Sequence, residues 1–296
     1  MVADLDKIAA NRSFWAGQVD YVDEWTLMPT PYPIVTILVA YLLFVLKLGP
    51  QFMKNREPFK LNNILLFYNA FQVAFSCYLC SIGISAILEK GLVESSCFMN
   101  EPETRNRIVT GHYWYFVAKL TELLDTVFFV LRKKWNQLSF LHVYHHTIMY
   151  FAAWTALKYE PTFSLVFLGT LNSFVHIIMY GYYGLAAFPG LEKYLWWKKY
   201  ITKMQLIQFA VIMVQITWNS IVSECPLSYF LLTLCWAHGF LFIYLFTDFY
   251  VKSYLQKRRE SNAKMNLQNH KVEELKSKHV SEIDEANGKK SVDKGR

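Results

Sequence analysis

Seven stretches of this chain are long and apolar enough to cross a bilayer, and they leave little else to fold. They run at roughly 32–48, 62–88, 113–131, 137–157, 163–187, 201–222 and 228–252, close to the ~20 mostly apolar residues that a helix needs to span the hydrocarbon core. Hydrocarbon offers the backbone no water to bond, so each stretch is expected as a helix that closes its own hydrogen bonds. A content of 54% hydrophobic and 17% aromatic residues exceeds that of soluble domains. The fold class predicted is an all-α integral membrane protein with seven transmembrane helices over residues 32–256. Residues 1–31 form a separate N-terminal segment, and residues 257–296 a polar tail without enough apolar content to bury a core. No room remains for a soluble catalytic domain. Because residues 1–31 hold acids and no apolar core, they do not read as a cleavable signal peptide, and the first span is expected to direct insertion.

Orientation follows from the cations beside the spans, since Lys and Arg stay cytoplasmic. Fifteen follow spans one, three, five and seven, among them Lys54, Arg56, Arg132, Lys133, Lys134, Lys198, Lys199, Lys203, Arg258 and Arg259. Six lie on the other side, including Lys90, Arg105 and Lys158. The N-terminus is therefore expected in a lumen and the C-terminus in the cytoplasm. The sequon "NRS" at 11–13 would then present Asn11 for glycosylation, with an unused sequon as the alternative. Cys97 and Cys225 would face the same oxidising compartment, where they could form a disulfide or remain two thiols. The net charge of +7 comes mainly from cytoplasmic flanks, which suits an anionic leaflet or a phosphate-bearing ligand and argues against nucleic acid.

Ionisable side chains at membrane depth are costly and point to function. Span three carries Lys119, Glu122 and Asp125 at spacings of three, along one helical face. Span four carries His142, His145 and His146, again on one face. Span five adds Asn172 and His176, four apart, and span six Thr202, Gln205 and Gln208. At a rise of about 1.5 Å per residue these four stripes share a layer roughly 6–18 Å from the cytoplasmic end of each span. One buried chamber open to the cytoplasm is expected. His238 stands alone and reads as a packing residue, and Asp248 as interfacial.

Three neighbouring imidazoles permit two chemistries. They could hold a metal, as HxxHH boxes do in membrane desaturases and hydroxylases, although such di-iron centres draw on more histidines than one box and His176 supply. Alternatively one ring could serve as a nucleophile that carries an acyl group, with its neighbours fixing tautomers and moving protons. A proton-coupled transporter is a third reading of the same polar set, but span four lacks the Gly or Pro interruptions that mark transporter sites.

The ordered motifs "KLTELLDT" (119–126), "HVYHH" (142–146), "NSFVH" (172–176), "MYGYYGL" (179–185) and "TKMQLIQF" (202–209) resemble those of the elongation of very long chain fatty acids family, over about residues 20–255. The resemblance implies a 3-oxoacyl-CoA synthase of the endoplasmic reticulum, which condenses a long-chain acyl-CoA with malonyl-CoA and releases CO2 and CoA. It also implies that six of the seven helices form a barrel around an acyl tunnel. No cofactor is implied beyond these two substrates. The partners implied are membrane lipids, other enzymes of the elongation cycle and a second copy of the chain.

Carried over by motif, His145 would accept the acyl group, His176 would lie beside it, and His142 and His146 would orient rings and relay protons. Asn172, Gln205, Gln208 and Tyr180 would bind and polarise substrate, and Lys119, Glu122 and Asp125 would organise the neighbouring wall. Arg132, Lys198, Lys199 and Lys203 are placed to meet CoA phosphates at the mouth. The chain ends "DKGR" where many members carry a dilysine signal, so "KRR" at 257–259 is the expected retention element. Thr147, where members favouring polyunsaturated chains often have Ala, leans the expected substrate toward saturated or monounsaturated acyl groups.

Overall fold

The computed structural model describes residues 14–93, 97–188, 190–191, 194–256, 259, 265–268 and 271. Asn11 and the Lys257–Arg258 pair fall outside the described residues. Among those described, every long element is helical: α1 (Tyr32–Met53), α2 (Asn62–Lys90), α3 (Pro102–Leu131), α4 (Phe140–Tyr159), α5 (Phe163–Ala186), α6 (Lys198–Val222) and α7 (Tyr229–Tyr250). The chain divides into two compact units, residues 1–246 and 247–296.

Each expected span coincides with one of these helices to within a few residues at either end, apart from the longer starts and ends noted next, and the boundaries move for local reasons. The first continues past residue 48 to Met53 although Pro50 lacks an amide hydrogen. A wide turn over Phe44–Leu48 absorbs the proline, with Gly49 N–H bonding Phe44 O five residues back. α3 begins eleven residues before the expected span because its polar first turns, opened by Pro102 with Glu103 beside it, are helical without being apolar. α2 ends at Gly91, whose φ of 84° lies in the left-handed region and favours glycine.

By length and composition, α1, α2, α5, α6 and α7 can each cross a membrane, the last counted to Gln256. α3 and α4 fall short because they carry the ion pair and the histidines. This is an all-α multi-pass membrane protein. Exposed apolar side chains such as Phe67, Leu88, Val214, Trp218 and Ile221 cover outward faces, as a lipid-facing surface requires.

Packing places α3 centrally. It lies along α4 and touches α1, α2 and α5, while α2 pairs along α5 and α5 along α6. α2 and α5 approach closely where Gly83 meets Thr170: a Cβ on Gly83 would come within 1.8 Å of Thr170 Oγ1. Small residues at such crossings let backbones close up within membranes.

The end of the bundle at the C-terminus of α4 is covered by residues 14–31. Val22 and Met28 there are fully buried in the main core, and Trp154 Nε1 donates to Leu27 O at 2.9 Å. Lys158, expected as a flanking loop cation, is instead 0% exposed. Its Nζ donates to Asp23 Oδ1 and Met28 O, each at 2.6 Å, and to Pro29 O at 3.2 Å. Burial of a lysine is tolerable only because its donors are satisfied in this way. A disulfide joins Cys97, between α2 and α3, to Cys225, between α6 and α7.

Candidate active site

The ion pair of α3 forms the floor of the site. Lys119 Nζ donates to Glu122 Oε1 at 2.8 Å and Oε2 at 3.0 Å, and the two residues are 2% and 3% exposed. A third bond runs from Lys119 Nζ to Asn172 Oδ1 of α5, at 2.8 Å. Tyr115 OH donates to the same oxygen at 3.0 Å, with its ring beneath the ammonium, 4.7 Å from the centroid.

That double use of Asn172 Oδ1 orients the amide. Its Nδ2 therefore faces His176 Nε2, at 3.4 Å. An amide N–H can only donate, so Nε2 is the accepting nitrogen and the ring proton belongs on Nδ1. Nδ1 lies 3.1 Å from Glu122 Oε1, off the line of an aligned hydrogen bond. Lys119, Glu122, Asn172 and His176 thus form one bonded or ion-paired group in which each member fixes the next.

One turn along α3, Asp125 is held by a different set. Tyr180 OH donates to Asp125 Oδ2 at 2.6 Å, and the Tyr180 ring meets Tyr68 of α2 edge-on. Gln72 Nε2 donates to Tyr68 OH at 3.0 Å and to Thr121 Oγ1 at 3.1 Å. Tyr115, Tyr68, Gln72 and Thr121 have no place in the sequence-based list. The signal for α2 was present: Asn69, Gln72 and Ser76 recur at helical spacing and are all buried.

α4 starts at Ser139, whose Oγ accepts from His142 N–H at 3.2 Å. This cap sets the register that brings the three histidines onto one face. His142 Nε2 is 3.0 Å from Thr126 Oγ1, which in turn bonds Tyr41 OH at 2.8 Å. The His142 and His146 ring centroids are 4.3 Å apart, and those of His145 and His146 5.3 Å. His145 is half-buried against Phe242, at 5.3 Å. α4 packs along α3 and His142 reaches Thr126 of that helix, so the histidine box borders the helix that carries the ion pair.

Other sequence-predicted residues sit elsewhere. Gln205 Nε2 reaches Met179 Sδ at 3.7 Å, and buried Gln208 has no partner for its Oε1. Lys198, Lys199 and Lys203 are exposed on the first turns of α6, where Lys199 and Lys203 lie over the Tyr200 ring. Arg132 caps the end of α3 and is half-buried. His238 bonds Leu234 O at 2.8 Å and stacks beside Tyr144. Asp248 pairs with Lys252, both exposed. Among the described residues, no group of three or more His, Cys, Asp and Glu side chains is arranged to hold a metal ion.

Chemically, the site offers imidazoles beside a neutralised carboxylate–ammonium pair, with hydroxyl and amide donors around them. Such a set can present a neutral ring nitrogen to an electrophile, move protons between rings and hold a developing oxyanion. Among curated proteins, the very long chain fatty acid elongase 4 of Homo sapiens is 40% identical over 268 residues, which cover 88% of this chain and 83% of that protein. The elongase 4 of Macaca mulatta matches to the same extent. Very long chain fatty acid elongase 7 of Drosophila melanogaster is 38% identical over 275 residues, covering 87% of this chain and 82% of its own. The profile of one family matches residues 26–262, a range that holds the histidine box, the α3 ion pair and the Asn172–His176 pair. The chain belongs to that family, ELO: GNS1/SUR4.

Proposed function

We propose that this protein is the condensing enzyme of a fatty acid elongation cycle, a very-long-chain 3-oxoacyl-CoA synthase. It joins a long-chain acyl-CoA to malonyl-CoA through an acyl-imidazole on His145. The observation that carries the reading is that α4, with its three histidines, packs along α3, whose Lys119–Glu122 pair binds Asn172 and meets His176 of α5. The relatives, named very long chain fatty acid elongases, support the substrate class.

In the first half-reaction a neutral nitrogen of His145 attacks the thioester carbonyl. An acyl–nitrogen bond forms, the carbon–sulfur bond breaks, and the ring proton passes to a neighbouring base as CoA leaves. His176 is suited to that transfer because Asn172 and Glu122 fix its tautomer. In the second half-reaction malonyl-CoA loses CO2, and the electron pair released at its α-carbon attacks the acyl-imidazole carbonyl. A carbon–carbon bond forms, the acyl–nitrogen bond breaks, and the departing ring takes its proton back from the neighbouring base, which regenerates His145. Donors held by the ion pair are placed to steady the oxyanion of either step.

Exposed Lys198, Lys199 and Lys203, with Arg132, suit the phosphates of CoA at a cytoplasmic mouth. The cation bias of the flanks supports a cytoplasmic C-terminus. A lumenal N-terminus in the endoplasmic reticulum would leave the Cys97–Cys225 bridge in an oxidising compartment. Purified protein in lipid nanodiscs, given acyl-CoA and labelled malonyl-CoA, should release CO2 and 3-oxoacyl-CoA in equal amounts. A stable acyl adduct on His145, trapped without malonyl-CoA and located by mass spectrometry, tests the intermediate; turnover with no adduct and a fully active His145→Ala variant would remove it.

A further inference from the structure

Six threonines of the long helices turn their hydroxyls back onto their own backbone. Thr121 donates to Ala118 O, and Thr147, Thr155, Thr170, Thr217 and Thr233 each donate to the carbonyl four residues before, the usual local use of a helical hydroxyl. Thr126 of α3 departs from that habit. It is 0% exposed, and its Oγ1 lies 2.8 Å from Tyr41 OH of α1 and 3.0 Å from His142 Nε2 of α4. One hydroxyl therefore ties three helices together at the histidine box. Tyr41 reaches it through the register of α1, whose buried stripe runs through Ile34, Tyr41, Val45, Gly49 and Met53 at helical spacing.

The direction of these bonds follows from counting protons. Among the described residues the Tyr41 hydroxyl has Thr126 Oγ1 as its one partner. If it accepted there, its own proton would stay buried and unbonded, which is costly, so it donates. Thr126 then has its single proton left for His142. Nε2 of that ring accepts, and the ring proton belongs on Nδ1. Contacts with the Phe129 and His146 rings, whose centroids lie 4.8 and 4.3 Å away, hold the position of the imidazole, whereas the Thr126 bond decides which nitrogen is protonated.

We propose that Tyr41 of α1, acting through Thr126, is a positioning residue for the condensation. It holds His142 in the neutral Nδ1–H form, so the accepting nitrogen of this ring is already taken and the proton leaving His145 goes to His176. This rests on the elongase reading above. α1 supplies no residue to the histidine box or to the ion-paired group, and it acts on the reaction through one hydroxyl.

The test uses the full chain in nanodiscs with the variants Tyr41→Phe, Thr126→Val and Thr126→Ser. Tyr41→Phe and Thr126→Val should each lower kcat about tenfold or more with the KM of both substrates little changed, because the reacting groups lose a proton arrangement and not a contact to substrate. The double variant should fall no further than Thr126→Val alone, since the two hydroxyls act in series on one nitrogen. Thr126→Ser, which keeps the hydroxyl, should restore most of the rate. In nitrogen NMR spectra of protein with isotope-labelled histidine, one ring among the eight histidines should leave the Nδ1–H form in Tyr41→Phe. Should Thr126→Val not accumulate, Tyr41→Phe decides alone. Parental kcat or an unchanged histidine spectrum in Tyr41→Phe, whatever its Tm, would overturn the proposal, confine the two hydroxyls to helix packing and leave the elongase reading standing. A parent that condenses no primer would overturn that reading and the role in proton transfer with it, while the spectrum would still test the tautomer.

Discussion

Replacing Glu122 with Gln keeps the shape of the side chain and removes its charge, which isolates the electrostatic contribution of the ion pair. In the parent, Lys119 Nζ lies 2.8 and 3.0 Å from the two carboxylate oxygens, with both residues almost fully buried. At an effective dielectric of about 20, two unit charges near 3 Å attract by roughly 5 kcal/mol. Removing one member of a buried pair strands the other charge and typically costs about 3–5 kcal/mol. Asn172 Oδ1 still accepts from Lys119 in the variant, so the lower end of that range is expected. A loss of about 3 kcal/mol corresponds to a fall in Tm of about 6–12 °C for a chain of this size. His176 also loses the carboxylate beside Nδ1, so a ring that takes up a proton during transfer has no counter-charge, and turnover should fall about 100-fold or more. Thermal unfolding in nanodiscs and malonyl-CoA turnover measure the two effects. The double variant Glu122→Gln with Lys119→Met should recover most of the stability and little of the activity, because it removes the stranded charge without restoring the orienting carboxylate. A Glu122→Gln protein as stable as its parent would refute the premise that the pair is shielded from water.

The remaining expectations are narrower. His145→Ala should lose condensation by at least about 100-fold while its Tm stays near the parental value, and retained turnover would move the nucleophile to another ring. Cys97→Ser opens a bridge between positions 128 residues apart, so a loss of up to about 5 kcal/mol is expected on the chain-entropy account, read as a lower Tm that matches the parent under reductant. Lys158→Met leaves two backbone carbonyls without their side-chain donor and Asp23 with only the Gly17 amide; hydrogen bonds to charged groups are worth about 1.5–3 kcal/mol, so proteolysis within residues 14–31 should quicken tenfold or more. An unchanged cleavage rate would show that apolar packing alone holds that segment. Thr126→Val should cost about 1 kcal/mol by removing the partner of His142 Nε2, again read from Tm.

Helical spacing made the intrahelical pairs legible: Lys119 with Glu122 three apart, Asn172 with His176 four apart, and the histidine box on one face. A rise of 1.5 Å per residue also brought these stripes to a common depth before any contact was known. Contacts between helices were less visible, because spacing fixes a face and not the neighbour it meets. Tyr115 is one of several aromatic residues on α3 with nothing in their spacing to set it apart, yet it bonds Asn172. Gln205 shares the depth of the histidines, yet its side chain runs to Met179. Lys158 looked like a loop cation because the acid and carbonyls that receive it lie some 130 residues earlier in the chain.

α3 and α4, the two long helices whose composition falls short of a membrane span, bear the ion pair and the histidine box. A membrane accepts them because their polar groups are satisfied by other helices and not by lipid. Lys119 is neutralised by Glu122 within one turn, and Asp125 is met by the Tyr180 hydroxyl. A nucleophilic imidazole has to stay neutral, and an ion pair whose charges cancel within one turn imposes little net field on it. A charge left over in the same layer would act on every ring within its range, since low-dielectric surroundings screen poorly. Substitutions that strand one charge of the Lys119–Glu122 pair should therefore damage catalysis more than neutral substitutions of equal volume in the same layer.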